Sequence, residues 1–158
     1  MSSISPLQEA RAKYRVKLPK SLSNGASVEI RKGISTESVR DQEKIKKLFP
    51  NTYGMPILHF EKADASAKHS PINIGVVLSG GQAPGGHNVI AGIFDGIKSI
   101  NDKSKLYGFL GGPGGLIDNK FMEITEEFLA DYRNTGGFDI IGSGRTKLEQ
   151  SKQFDKAA

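Results

Sequence analysis

The sequence predicts an α/β fold built on a doubly wound, mainly parallel sheet. Three observations carry this. From Pro71 onward, β-type apolar runs alternate with helix-type runs, the order a parallel sheet with crossover helices requires. Each predicted core strand ends in a glycine-rich turn, and ligand sites of such sheets lie at strand C-termini. The texture also changes near residue 70, since 16 of the 19 glycines fall in the last 88 residues. Residues 1–70 are therefore expected to form a basic, mostly helical N-terminal extension, and residues 71–158 the N-terminal part of an α/β domain.

In chain order, Ser5-Pro6-Leu7-Gln8 reads as a helix start, with Ser at N-cap, Pro at N1 and Gln at N3. That helix should end before Pro19. Asn24-Gly25 and Lys32-Gly33 mark turns around a short extended piece at Val28–Ile30. A second helix is expected from Ser38 to Leu48, a short strand at Pro56–Phe60, and a linker over residues 61–70. Ile72 to Leu78 reads as a core strand apolar on both faces. The next helix, from Val89, places Val89, Ile93, Ile97 and Ile100 on one face with Ile90 and Phe94 beside them, and Gly92 and Gly96 suggest close approach to the sheet. A second core strand follows at Lys105–Leu110, then a Gly111–Gly115 loop and a short strand at Lys120–Glu123. Thr125 caps a helix whose Glu126 and Glu127 sit in its positively polarised first turn. Gly137–Gly142 is expected as the third core strand, and Gln150–Ala158 as a helix.

The run Leu78-Ser79-Gly80-Gly81-Gln82-Ala83-Pro84-Gly85-Gly86-His87-Asn88 joins a strand to a helix N-terminus. Such a turn presents backbone N–H groups without intrahelical acceptors, at the positive end of the helix dipole, and so favours an anion, above all phosphate. Its spacing excludes a nucleotide P-loop, because no Lys-Ser or Lys-Thr follows the glycines. The dinucleotide Gly-x-Gly-x-x-Gly pattern is excluded as well, because the glycines come as adjacent pairs.

Composition narrows the function further. The chain has 158 residues, 37% hydrophobic and 25% charged, the balance of a globular domain. Without cysteine there is no disulfide, thiolate nucleophile or cysteine metal site, which suits a reducing, cytoplasmic setting. The first twenty residues contain five basic side chains and no signal-type apolar run, and no stretch approaches the roughly 18 apolar residues of a membrane helix. Residues 1–70 hold 13 Lys+Arg against 7 Asp+Glu, and residues 71–158 hold 9 against 10, so the net charge of +5 sits in the extension. These basic residues lack the interleaved aromatics of single-strand nucleic-acid binders, and a solvated or subunit-contacting face is expected.

The glycine run resembles the first strand-turn of the phosphofructokinase superfamily, and its form Gly-Gly-Gln-Ala-Pro-Gly-Gly-His-Asn is similar to the long, pyrophosphate-dependent 6-phosphofructokinases, with Gln82 where ATP-dependent members carry Asp. Tyr107–Gly115 resembles the family's second strand and loop, and Tyr132–Lys147, with Gly142-Ser143-Gly144-Arg145, its third strand and phosphate-contacting turn. Asp41-Gln42-Glu43 and Lys46–Gly54 are similar to the long enzymes' N-terminal extension, so the resemblance runs from about Ser5 to Phe154. It implies a phosphofructokinase-like fold, truncated after about three core strands. It also implies a glycolytic phosphotransferase that reversibly phosphorylates fructose 6-phosphate at C1 with pyrophosphate and Mg²⁺, acting as a homo- or hetero-oligomer.

Within this frame Gly81 is expected to bind diphosphate through its backbone N–H, Gly80 to serve the turn, and Arg145 to clamp phosphate oxygens and offset charge during transfer. Gln82, His87 and Lys147 are candidate loop supports, with His87 expected mainly in a structural hydrogen bond. Ser143 is either a hydroxyl donor or a helix cap. His59 and His69 lack metal-ligand spacing, and Tyr132, Arg133 and Asp139 are read as structural. The family's catalytic and Mg²⁺-binding motifs, of the Gly-Gly-Asp and Thr-Ile-Asp-x-Asp kind, do not occur in this sequence. No catalytic or metal-ligating residue is therefore assigned, the chain alone is expected to be inactive, and most of the fructose 6-phosphate pocket is expected elsewhere. The alternative is a non-catalytic regulatory or vestigial phosphate-binding subunit of a phosphofructokinase assembly; an unrelated Rossmann-like nucleotide binder is disfavoured by the doubled glycines.

Overall fold

A computed structural model describes residues 5–22, 28–63 and 68–157. Its contacts divide the chain into two units, Lys17–Ala67 on one hand and Met1–Val16 with Lys68–Ala158 on the other.

The Lys17–Ala67 unit contains a 3₁₀ turn (Lys20–Leu22), strand β1 (Val28–Ser35), helix α2 (Gln42–Leu48) and strand β2 (Pro56–Lys62). β1 and β2 form an antiparallel ribbon in which Ile30 faces Phe60 and Lys32 faces Leu58, with an irregularity between Lys32 and Ser35. The expected mostly helical extension is thus corrected: its largest element is this ribbon. β1 is longer than the Val28–Ile30 piece, and α2 starts at Gln42 rather than Ser38, after Asp41 in the left-handed region. Strand pairing across more than twenty residues leaves no short-range periodic signal. None of the unit's described residues is buried.

The second unit carries the core. Helix α1 (Pro6–Lys13) starts as expected, on a reciprocal capping box: Ser5 Oγ accepts from the Gln8 amide at 3.2 Å, and Gln8 Oε1 accepts from the Ser5 amide at 2.9 Å. A three-stranded sheet has the order β3 (Asn73–Val76), β4 (Lys105–Phe109), β5 (Phe121–Ile124). β3 and β4 are parallel, and β5 runs antiparallel to β4, so the expected parallel arrangement is realised in one pair only. The reason is local: after β4 the chain makes only the short helix α4 (Pro113–Ile117), too brief for a crossover, and must return antiparallel. The expected Gly111–Gly115 loop becomes the entry of α4, with Pro113 in the first helical turn. β3 is shorter than the expected Ile72–Leu78 run, and it alternates between exposed and half-buried residues rather than being covered on both faces.

Helix α3 (Gly86–Ile100) connects β3 to β4. It buries Ile90, Ala91, Phe94 and Ile97, while Val89 is 57% exposed. The buried stripe is therefore centred one residue away from the expected Val89–Ile93–Ile97–Ile100 face. Gly92 and Gly96 are exposed, with open space where a Cβ would stand, and do not mediate close packing. Ile90, Phe94 and Ile97 pack with Leu78, Leu106, Ile124, Leu129, Ile140 and Ile141 in one apolar cluster. Helix α5 (Glu126–Ala130) adds Leu129, its N-terminus capped by Thr125 Oγ1, which accepts from the Phe128 amide at 3.2 Å. Helix α6 (Ser151–Ala157) closes the unit. The expected third core strand at Gly137–Gly142 does not form; that segment reaches the sheet through a single parallel bridge, Ser79 to Gly144.

Leu106 is fully buried at the centre of the sheet. Replacing it, Leu106→Ala, should destabilise the fold by about 2–5 kcal/mol, read as a lower midpoint in urea unfolding, whereas Val89→Ala on the exposed face of α3 should leave the midpoint nearly unchanged.

Candidate functional site

Because β3 and β4 are parallel, the turns that follow them emerge at the same edge. The segment Ile140–Gly144 crosses both. Gly80 N donates to Gly144 O at 2.9 Å, and Gly111 N donates to Ile141 O at 2.9 Å. A Cβ on Gly112 would run into Gly144 N and lie 2.9 Å from Leu78 O, and one on Gly144 would run into Gly111 O. The three glycine turns thus meet backbone against backbone, a closeness only residues without side chains permit.

Gly80 has φ +98° and gives its amide to Gly144, so it builds the turn and has no free donor. Gly81 is exposed, and among the described residues nothing accepts from its amide. The Arg145 Nη2 lies 3.1 Å from the point where a Gly81 Cβ would stand. Among the described residues Arg145 has no carboxylate partner, so an open amide and an open guanidinium face the same space. Gln82 is exposed beside them. Lys147 is also exposed, 3.6 Å from Glu149, and no contact brings it to Gly81. Ser143 caps no helix, since the next one begins at Ser151.

The α3 N-terminus is arranged differently from the expected anion hole. Gly85 N donates to Gly136 O at 2.8 Å and His87 N to Gly137 O at 2.9 Å, while Asn88 Oδ1 accepts from Gly136 N at 3.2 Å. The chain's own carbonyls occupy donors that an anion would otherwise take, and Phe138 packs where a Gly86 side chain would be. No short-range pattern announces this plug, because residues 135–138 lie some fifty positions downstream. The Gly81 amide, in the turn before the helix, is left without such an acceptor.

His87 is 4% exposed and anchors the plug. Its Nε2 accepts from the amides of Asp139 at 3.0 Å and Ile140 at 3.1 Å. Its Nδ1 is 2.6 Å from Thr135 Oγ1, which itself donates to Tyr132 O at 2.7 Å. The Asp139 carboxylate, 73% exposed, also lies 2.8 Å from Nε2. The amides need a lone pair there and the carboxylate needs a proton. Nε2 can accept from the two amides only with the ring proton on Nδ1, the tautomer in which that proton points at Thr135.

Arg133 contrasts with Arg145. Its guanidinium pairs with Asp95 at 2.7 Å and Glu126 at 2.6 Å, joining α3 to α5, and the hydrogen bonds it donates, to Asp95 first and Glu126 second, hold its pKa above the usual arginine value. Tyr132 packs edge-on against His87. His59 lies in β2 opposite Arg31, and His69 accepts through its carbonyl from Asn101. Among the described residues no three His, Cys, Asp or Glu cluster as metal ligands. A groove of about 440 Å³ lies on the α3–α5 side, lined by Tyr14, Ala91, Asp95, Glu126 and Arg133; it does not include Gly81 or Arg145. The groove is also lined by Arg15, whose guanidinium donates to the carbonyls of Ala12 and Tyr14, while its Arg133 is paired with Asp95 and Glu126.

Two substitutions separate architecture from binding. Gly144→Ala puts a Cβ against Gly111 O and should cost about 1–3 kcal/mol of stability, measured by urea unfolding. Gly81→Ala meets only the movable end of Arg145; it should keep the midpoint nearly unchanged and weaken anion binding in calorimetric titration.

No family model matches the chain. It is 53% identical over 151 residues to the pyrophosphate–fructose 6-phosphate 1-phosphotransferase of Porphyromonas gingivalis, covering 96% of this chain and 27% of that protein. The Treponema pallidum protein of the same name is 47% identical over 99% of this chain and 29% of its own length. The beta subunit of the enzyme so named in Solanum tuberosum is 44% identical over 97% of this chain and 27% of its own length. The chain therefore spans a little over a quarter of the length of the curated relatives it matches, and over nearly all of its own length it is similar to the N-terminal part of proteins named pyrophosphate–fructose 6-phosphate 1-phosphotransferase.

Proposed function

We propose that this chain supplies the phosphate-binding corner of a phosphotransferase that moves a phosphoryl group reversibly between pyrophosphate and fructose 6-phosphate, giving fructose 1,6-bisphosphate. The observation that carries the reading is the pairing of an unclaimed Gly81 amide with an unpaired Arg145 guanidinium at the meeting point of three glycine turns. Both groups donate hydrogen bonds and neither accepts, which suits the oxygens of a diphosphate. The amide fixes one oxygen at a rigid point, and the planar guanidinium takes two oxygens side by side and offsets charge that builds as the bridging P–O bond breaks. Gln82 adds no negative charge that would repel the anion or compete for Arg145. Gly80 is a turn-builder in this reading, His87 a support, and Lys147 at most a distant source of positive potential.

A general base for the sugar hydroxyl and a carboxylate set for Mg²⁺ are required by such chemistry. The Gly-Gly-Asp and Thr-Ile-Asp-x-Asp motifs to which the resemblance gives these duties do not occur in this sequence, so both are assigned to the part of the relatives' length that this chain does not span. The reaction would accordingly be performed by a longer or assembled protein in the cytoplasm, and the subunit name of the potato relative supports assembly from more than one kind of chain. Among the described residues no helix is long and apolar enough to cross a membrane.

Calorimetric titration of the chain with pyrophosphate tests the reading. Binding is expected, and Arg145→Ala should weaken it by about 1.5–3 kcal/mol, roughly ten- to a hundred-fold, as for a hydrogen bond to a charged group. Unchanged affinity in Arg145→Ala, or binding of ATP without pyrophosphate, would overturn it. Gln82→Asp should also weaken pyrophosphate binding, since its carboxylate would repel the ligand and attract Arg145.

A further inference from the structure

We infer that His87 is a positioning residue for Arg145: through the backbone it holds, its side chain sets where the phosphate-facing guanidinium stands. The inference rests on the pyrophosphate reading of the Gly81–Arg145 corner and adds to it the element that keeps the corner in register.

Arg145 is exposed and lies in irregular backbone, with neither helix nor ladder to fix it. Its position is inherited from the residues before it. Gly144 is tied to Gly80 and Ile141 to Gly111, each through one backbone hydrogen bond of 2.9 Å. The Gly142 amide turns back to Asp139 O at 3.1 Å. One step earlier, the amides of Asp139 and Ile140 are taken by His87 Nε2. These two amides would otherwise find no partner where the expected strand fails to form. A buried imidazole therefore replaces the missing strand neighbour, and it starts the chain of bonds that ends at Arg145.

The ring can do this only in one orientation. Nε2 must offer its lone pair, so the proton must be on Nδ1, and Thr135 Oγ1 is placed to accept it at 2.6 Å while handing its own proton to Tyr132 O. Thr135 touches neither the glycine turns nor Arg145 in any hydrogen bond, yet it selects the tautomer on which their register depends. Gly137 packs against the ring so closely that a side chain there would strike it. His87 also sits in the first turn of α3, so the same residue ties the helix that follows the Gly81 turn to the segment that delivers Arg145.

The test follows two readouts in the 158-residue chain: the NMR resonances of the Gly144 amide and the Arg145 side-chain Nε–H without ligand, and the dissociation constant for pyrophosphate. Thr135→Val keeps the shape of the side chain and removes the acceptor for Nδ1–H. It should shift both resonances and weaken pyrophosphate binding roughly three- to ten-fold, the size of coupling expected within one hydrogen-bond network, at a melting temperature close to that of the unaltered chain. His87→Leu should do the same or more, whereas His87→Gln, whose Oε1 can accept from the two amides, should fall nearer the unaltered chain. If His87→Leu does not fold, Thr135→Val carries the test alone. Unshifted Gly144 and Arg145 resonances with unchanged affinity in Thr135→Val would overturn the inference, as would affinity losses that simply track the loss of melting temperature with no rescue by Gln. Should the unaltered chain fail to bind pyrophosphate while Thr135→Val still displaces the two resonances, the pyrophosphate reading falls and the control of Arg145 by His87 stands.

Discussion

The structure of the site depends on one contact, the crossing of the Ile140–Gly144 segment over the ends of β3 and β4. Two backbone hydrogen bonds, from Gly80 to Gly144 and from Gly111 to Ile141, hold it there. Two glycines, Gly112 and Gly144, make it sterically possible, because a Cβ on either would strike the backbone of the other segment. Everything proposed for phosphate follows from this geometry. The Gly81 turn is tied to the crossing segment through the Gly80 amide, and Arg145, the next residue after the crossing, brings its guanidinium to Gly81. The apolar cluster centred on Ile90, Leu106 and Ile124 supports the crossing from below, with Ile140 and Ile141 extending it directly under the glycines.

The helix dipole has an indirect role here. A helix N-terminus attracts anions because its first amides lack acceptors, yet in α3 the Gly85 and His87 amides already bond to Gly136 and Gly137. Those carbonyls carry partial negative charge, so the dipole stabilises a protein segment rather than a ligand. In the proposed reading the anion is met by the turn before the helix. The arrangement gives up part of the dipole's attraction and gains a fixed scaffold for the following Gly142–Arg145 turn.

How much of this was legible in the sequence follows from how local each determinant is. The Ser5–Gln8 capping box and the Thr125 cap are set within four residues, and both stand as read. The strand-turn-helix at Gly80–Gly86 was legible for the same reason; the meeting of three glycine turns was expected from placing each at a strand end, but the third, Gly142–Gly144, follows no strand. The α3 face was displaced by one position because Val89 and Ile90 are equally apolar, and only the packing partners decide which turns inward. The direction of β5, the β1–β2 ribbon and the plug at α3 are pairings between distant segments. No periodicity records them. Gly137–Gly142 shows the limit most clearly: its composition is that of a strand, but His87 takes the amides that a neighbouring strand would have taken.

The two arginines near the end of the chain show why the assignment of Arg145 is a physical one. Arg133 is four-fifths buried and answered by two carboxylates, so its charge is neutralised and its geometry is fixed by α3 and α5. Arg145 is exposed and, among the described residues, answered by none. An exposed arginine without a partner is ordinary on a protein surface. It becomes informative when the backbone around it is immobilised by contacts that admit only glycine, and when the nearest turn offers an open amide instead of a carboxylate. Gln82 matters on this ground: an acid at that position, next to Gly81, would give Arg145 an internal partner and close the corner as Asp95 and Glu126 close Arg133. With glutamine there, the positive charge stays available, and in the proposed reading the ligand brings the negative oxygens that answer it.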